Sequence, residues 1–228
     1  MRSQKQTRNN LKGVLFDLDG TLIDSMPFHF KAWKKSIKYL YNIDIQTHDF
    51  LPLEGMQLRK IAPTILKKYN FDVNNINYQK LILLKESFFL SNYKLRFYPY
   101  VKLCIKQLKN RNLKLAIVTS GLRERLFKSV PKKFLDNFDV IITGEDTTYG
   151  KPSKQPFYKA VNTLRLKSKE CIVIENAPLG IQSAKNANIY CIAIATTLNK
   201  KLLIKADLVV DTFKDVYIKL MKITKNDQ

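Results

Sequence analysis

FDLDGTLIDS, residues 16–25, is the stretch whose reading decides the fold. It follows an apolar run, residues 14–16, with the composition of a buried strand, and Gly20 marks the turn out of it. Along an extended chain residues two apart point the same way, so Asp17 and Asp19 face one side and Leu18 the other. Two carboxylates about 4 Å apart repel by roughly 4 kcal/mol at an effective dielectric near 20. A proton, a cation or a fold that needs both must relieve that repulsion, and one divalent metal ion is sufficient. A plain acidic turn after a strand is the alternative. A calcium loop starting at Asp17 is excluded, because it needs Gly where Leu22 stands and Glu where Phe28 stands. Paired aspartates suit phosphoryl transfer: one carboxylate attacks phosphorus, the other moves a proton, and Mg²⁺ offsets the gathered negative charge.

The 228 residues, 45% of them hydrophobic, are enough for one α/β core and a smaller module. No apolar run approaches the 18 or so residues of a membrane span, so a soluble, cytoplasmic protein without a membrane partner is expected. Residues 1–11 read as a basic extension. They do not form a secretory signal, since the short apolar segment behind them runs into Asp17; a transit peptide stays open. Cys104, Cys171 and Cys191 are odd in number, widely spaced and set among apolar neighbours, which indicates buried free thiols in a reducing compartment.

The formal charge of +21, from 40 Lys and Arg against 19 Asp and Glu, invites a nucleic-acid reading. The lysines are spread along the whole chain, however, among abundant Asn, Ile and Tyr, a mix that an AT-rich genome produces without selection for binding. Solvated surface charge that draws an anionic small molecule inward accounts for it. A non-catalytic nucleic-acid-binding protein is the competing reading from another class, and it requires Lys and Arg to cluster on one face. A monomer is expected.

Residues 27–96 carry near-helical spacing of apolar side chains: Phe28, Ala32, Ile37, Leu40 and Tyr41, then Ile61, Ile65 and Leu66, then Leu81, Leu84, Phe88 and Phe89. No strand signal of comparable strength interrupts them. Beyond, candidate strands at 113–118, 140–142, 171–174, 190–195 and 208–210 alternate with helices at 101–108, from 178, near 201 and from 213. That alternation predicts a parallel sheet with helices on both faces, right-handed crossovers and a site at the strand carboxyl ends. Thr119, Ser120 and Gly121 fall at one such end, where a hydroxyl and free N–H groups make a phosphate cradle; a helix cap worth about 1 kcal/mol is the alternative. Residues 144–151 are not a P-loop: one residue too many separates the glycines, and Pro152 stands where Ser or Thr must follow Lys151.

FDLDGTLIDS resembles the first motif of the haloacid dehalogenase-like hydrolases, a superfamily mostly of Mg²⁺-dependent phosphatases and phosphomutases. Thr119-Ser120-Gly121 is similar to the second motif, Gly150-Lys151-Pro152 to the third, and the ENAPLG run at 175–180 to the fourth. The resemblance implies a Rossmann-like core over 12–26 and 97–228. It also implies an inserted helical cap over 27–96, with linkers at 24–28 and 95–100 and Pro99 where the family usually has Pro-Gly. It implies that Asp17 is the nucleophile, Asp19 the acid and base, Thr119, Ser120 and Lys151 the phosphoryl holders, and Asp17, the Asp19 carbonyl and Asn176 the Mg²⁺ ligands with Glu175 behind.

The chain departs from the pattern in two places. Lys154 and Gln155 replace a Pro and an acidic residue after the third motif, and Asn176 replaces the usual second acid, removing one negative charge. In the cap, His29 stands twelve residues beyond Asp17, as in β-phosphoglucomutase-like members that use a His near the sugar; a structural His stays open. LEGMQLRK, residues 53–60, is similar to the cap's substrate-specificity loop, with Gly55 at the turn and Arg59 and Lys60 available for a second anionic group. Leu58 stands where the mutase pattern has Arg. Trp33 reads as core or as a sugar platform. The implied activity is hydrolysis of a small sugar phosphate through an aspartyl-phosphate, with β-phosphoglucomutase as the alternative.

Overall fold

The structure, a computed structural model, describes residues 11–225, so residues 1–10 of the expected basic extension lie outside it. Six strands, β1 (Gly13–Phe16), β2 (Lys114–Val118), β3 (Val140–Ile142), β4 (Cys171–Glu175), β5 (Tyr190–Ile194) and β6 (Leu208–Val210), form one sheet in the order β3-β2-β1-β4-β5-β6. Every pairing is parallel. The helices are α1 (Met26–Tyr41), α2 (Thr47–Phe50), α3 (Leu58–Leu66), α4 (Tyr78–Asn92), α5 (Val101–Asn110), α6 (Arg123–Ser129), α7 (Lys132–Leu135), α8 (Gln155–Thr163), α9 (Pro178–Asn186) and α10 (Phe213–Lys225). The helix expected near Lys201 is a single 3₁₀ turn, Lys200–Leu202, opened by the Asn199 side chain accepting from the Lys201 N–H at 2.9 Å.

The central strands are apolar along their whole length because both faces of the sheet are covered. Phe16, Ile117 and Ile174 point to one face, where Val101, Ile105 and Leu108 of α5 and Val216 and Leu220 of α10 pack; Leu15, Ala116 and Val173 point to the other, against Phe157 and Val161 of α8 and Ile181 and Ala184 of α9. Each such side chain is essentially solvent-free, and each Val, Leu, Ile or Phe among them contributes roughly 1.5–3 kcal/mol of burial. Register then fixes the site: Phe16 lies beside both Ile117 and Ile174, so the residues that follow β1, β2 and β4 emerge together at one edge of the sheet.

Helices α1 to α4 form the inserted cap, with no strand among its described residues and a hydrophobic cluster of its own that includes Trp33, Ile37, Phe50, Ile65 and Leu81. Asp49 ties the cap together beneath the helices, accepting from the Tyr69 hydroxyl at 2.6 Å, the Gln46 N–H at 3.0 Å and Lys68 at 3.3 Å. The two connections to the core run side by side. Asp24 N–H donates to the Arg96 carbonyl at 2.8 Å and Tyr98 N–H to the Leu22 carbonyl at 3.2 Å. Tyr100 follows Pro99 with φ +70°, a left-handed conformation that costs a non-glycine residue about 1–2 kcal/mol; its ring meets that of Tyr217, with centroids 5.7 Å apart. The three cysteines are free and buried, and no helix among the described residues is long and apolar enough to cross a membrane.

Candidate active site

Asp17 leaves the end of β1 with its N–H bonded to the Ile174 carbonyl at 3.0 Å, and its side chain is buried. Lys151, from the loop before α8, places its ammonium 2.6 Å from Asp17 Oδ1 and 2.6 Å from Glu175 Oε1. Glu175 ends β4 and is locked. Its Oε2 accepts from the N–H groups of Asn176 and Ala177, each at 2.8 Å, and a Cβ at Gly180 would overlap its carboxylate, so only glycine fits there. Gly20 meets a similar limit: it turns the chain at φ +85°, and a Cβ would overlap the Asn176 amide.

Two buried carboxylates thus share one ammonium, leaving one negative charge in excess. Burial, together with the Glu175 and Asp19 charges, pushes Asp17 up to about 7 against the pull of Lys151. Lys151 is itself buried, but the two carboxylates hold it well above its ordinary value.

Asp19 is surrounded differently. Arg125 of α6 reaches it with two N–H groups, at 2.8 and 3.3 Å; Ser25 donates at 2.6 Å, and His29 lies 3.1 Å away. Against the push of burial, Arg125 and His29 hold Asp19 well below the usual carboxylate range. The His29 Nδ1 atom lies 3.0 Å from the Lys85 ammonium, which can only donate. The imidazole therefore accepts at Nδ1 and donates from Nε2 to Asp19, a neutral form that agrees with burial and Lys85 pushing His29 down to about 4. Burial also lowers Lys85 to about 8 against the support of Glu86, 2.9 Å away.

The remaining expected residues divide into two groups. Thr119 and Ser120 follow β2 and line the cavity; Thr119 Oγ1 is 3.5 Å from Asp19 and accepts the Gly121 N–H at 3.1 Å, while Ser120 Oγ donates to the Gly55 carbonyl of the cap loop at 2.7 Å. His29, Gly55 and Trp33 line the same cavity, with Trp33 also buried in the cap cluster. Arg59 and Lys60 do not. Both are exposed on α3, because the phase that turns Leu58 and Ile61 toward the cavity turns the two residues between them to solvent. They are not brought to the site.

Residues that the sequence reading missed complete it. Glu54 comes from the cap loop and is buried; its Oε2 accepts from Asn176 Nδ2 at 3.0 Å and from the Thr197 hydroxyl at 2.7 Å. Burial, with the Asp17 and Glu175 charges, pushes it up to about 7 despite the Thr197 bond. Asn176 Oδ1 accepts from Thr21 at 3.1 Å. Arg125, Lys85 and Glu86 form the rest, with Arg125 Nε 3.6 Å from Glu86 Oε2. Lys85 was detectable as a cation in the buried stripe Leu81–Lys85–Phe89 of α4; Arg125 and Glu54 carried no comparable signal.

Among the described residues no three His, Cys, Asp or Glu side chains form a ready-made cation cage. Of the donors that the family resemblance implies, Asp17 is buried at the end of β1, and Asn176 turns its Oδ1 to Thr21 and its Nδ2 to Glu54. Asp17 and Glu175 share the Lys151 ammonium, Glu54 adds a third carboxylate near them, and its buried Oε1 has no hydrogen-bond partner. Excess negative charge and an orphaned oxygen fit a hard divalent cation that keeps waters in its shell.

A profile of the haloacid dehalogenase-like hydrolases matches residues 14–194. The chain belongs to that family. Pyrophosphatase PpaX of Bacillus mycoides is 27% identical over 218 residues, covering 92% of this chain and 97% of the relative. The β-phosphoglucomutase of Bacillus subtilis is 26% identical over 234 residues, covering 92% and 94%. The solved HAD hydrolase of family IA, variant 3, from Entamoeba histolytica superposes with a TM-score of 0.80 at 26% identity, covering 95% of this chain and 100% of that one. This haloacid dehalogenase-like hydrolase is therefore an enzyme, and its relatives include a pyrophosphatase and a β-phosphoglucomutase.

Proposed function

We propose that this enzyme is a Mg²⁺-dependent phosphatase that hydrolyses a small phosphomonoester, a sugar phosphate, through an aspartyl-phosphate on Asp17. The observation that carries the reading is the meeting of Asp17, Lys151 and Glu175 at 2.6 Å beneath a helical cap. Asp17 attacks phosphorus in line, with Lys151, Thr119 and the Ser120 N–H holding the phosphoryl oxygens. Asp19 protonates the alcohol oxygen as its bond to phosphorus breaks, then takes a proton from the water whose oxygen attacks phosphorus and releases Asp17 and phosphate. The ionised state that Arg125 enforces suits the second of these steps, and the first requires Asp19 to enter protonated. Mg²⁺ held by Asp17, the Asp19 carbonyl and Asn176 would keep Asp17 ionised and screen the phosphate from it.

The cavity under the cap holds about 60 Å³, well below the roughly 300 Å³ at which ligand pockets begin, so substrate enters by lifting the cap loop. A cavity of this size supports a small phosphorylated substrate, and a monomer is part of the same proposed reading. One observation favours β-phosphoglucomutase as the second reading: His29 sits against Asp19. Leu58 in the cavity wall counts against it. Phosphate release from a panel of sugar phosphates and pyrophosphate, with and without Mg²⁺, run beside a coupled assay on β-glucose 1-phosphate with a trace of bisphosphate, separates them. Release that requires Mg²⁺ supports the phosphatase; glucose 6-phosphate formation without release supports the mutase.

A further inference from the structure

We propose that Glu54 supplies, from the cap, the negative charge that Asn176 does not carry at the core, so that binding of a divalent cation and seating of the cap loop stabilise each other. The proposal rests on the reading that a divalent cation sits beside Asp17.

Glu54 has no evident role in folding the cap. It lies between the turn Leu51–Leu53 and α3, is only 2% exposed, and makes both of its hydrogen bonds across the cleft, to Asn176 and Thr197. Its other oxygen, Oε1, is buried without a partner. A buried carboxylate oxygen left without a donor is unfavourable unless something positive meets it. A latch alone would not need the charge, since a neutral amide oxygen could accept from the same Asn176 and Thr197 donors. What the carboxylate adds is one negative charge beside a pair, Glu175 and Asn176, that is one charge short of two acids. Glu54 and Asn176 together carry the charge of a single acidic residue at 176. The loop that holds Glu54 is pinned where it must be for this purpose, because Ser120 Oγ grips the neighbouring Gly55 carbonyl at 2.7 Å.

A charge swap in the full-length protein tests this. Mg²⁺ affinity is measured by calorimetry for wild type, Glu54→Gln, Asn176→Asp and the double variant. Closure is followed by the emission of Trp33, the single tryptophan, which lines the cavity. Glu54→Gln keeps the shape and both hydrogen bonds, so a latch would survive it. The expected result is a loss of Mg²⁺ affinity of about tenfold or more and loss of the Mg²⁺-induced Trp33 response. The double variant regains the affinity, because the charge is back in the core, but not the response, because the cap no longer shares it. Glu54→Gln that binds Mg²⁺ and responds like wild type overturns the proposal and leaves the metal reading standing. A wild type that binds no Mg²⁺ overturns both.

Discussion

Asp17 and Asp19 are separated by one residue, yet the two halves of the site around them are built in opposite ways. Around Asp17 the partners, Lys151 and Glu175, come from the core and sit on strand ends or the loop beside them, two carboxylates to one ammonium. Around Asp19 the partners are long side chains converging from helices of both modules: Arg125 from α6 and His29 from α1, with Lys85 and Glu86 of α4 behind. There Asp19 and Glu86 are matched by Arg125 and Lys85. The unbalanced half is the one that calls for a cation, and its Asp17–Lys151–Glu175 contacts are all made within the core, with Glu54 of the cap bonded beside them. The balanced half includes cap residues, and opening the cap breaks part of it.

Removing charge from the balanced half should therefore do the larger structural damage. Arg125→Met leaves Asp19 and Glu86 buried with Lys85 as the single remaining cation, and breaking a buried pair in this way costs roughly 3–5 kcal/mol. Thermal unfolding should fall by about 10 °C. A variant that melts with wild type would show that the Arg125 pairs are not the support described. A smaller effect is expected beyond the cleft. Asp49→Asn removes charge-assisted bonds from Tyr69, Gln46 and Lys68, weakening the cap by about 1–2 kcal/mol while leaving the Asp17 half intact. The Tyr69 and Gln46 bonds hold Asp49 below the usual carboxylate range despite burial. Its contribution is thus complete above the unfolded value near 4 and disappears as pH falls through the lower folded one. Acid unfolding followed by hydrogen exchange in residues 44–69 should lose that step in the variant; an unchanged acid limb contradicts it.

The same contrast explains what could be read from the sequence. Strands β1, β2 and β4 were legible because doubly covered parallel strands leave unbroken apolar runs, and Asp17, Thr119 and Glu175 were legible because each follows or ends such a run. Lys151 was reached through the resemblance of Gly150-Lys151-Pro152 to the family's third motif. The cap face was legible only in part: His29, Gly55 and Trp33 were named and line the cavity, whereas Glu54 was not. Which side chain crosses a cleft depends on how two modules dock, and nothing local to Glu54 or Arg125 encodes it. The Arg59 and Lys60 expectation failed on helix phase: at 100° per residue Leu58 and Ile61 face inward and the charges between them face solvent. Lys85 lay in plain view in a buried stripe, but a lysine among leucines and phenylalanines is easily counted as surface.

The proposed reaction depends most on Asp17 as the attacking nucleophile, and phosphate release by purified Asp17→Asn with Mg²⁺, on whichever substrate the wild type turns over fastest, tests it most directly. The expected result is a folded protein, melting within a few degrees of wild type, whose turnover is lower by at least about a thousandfold. A folded Asp17→Asn variant that releases phosphate at the wild-type rate would contradict it.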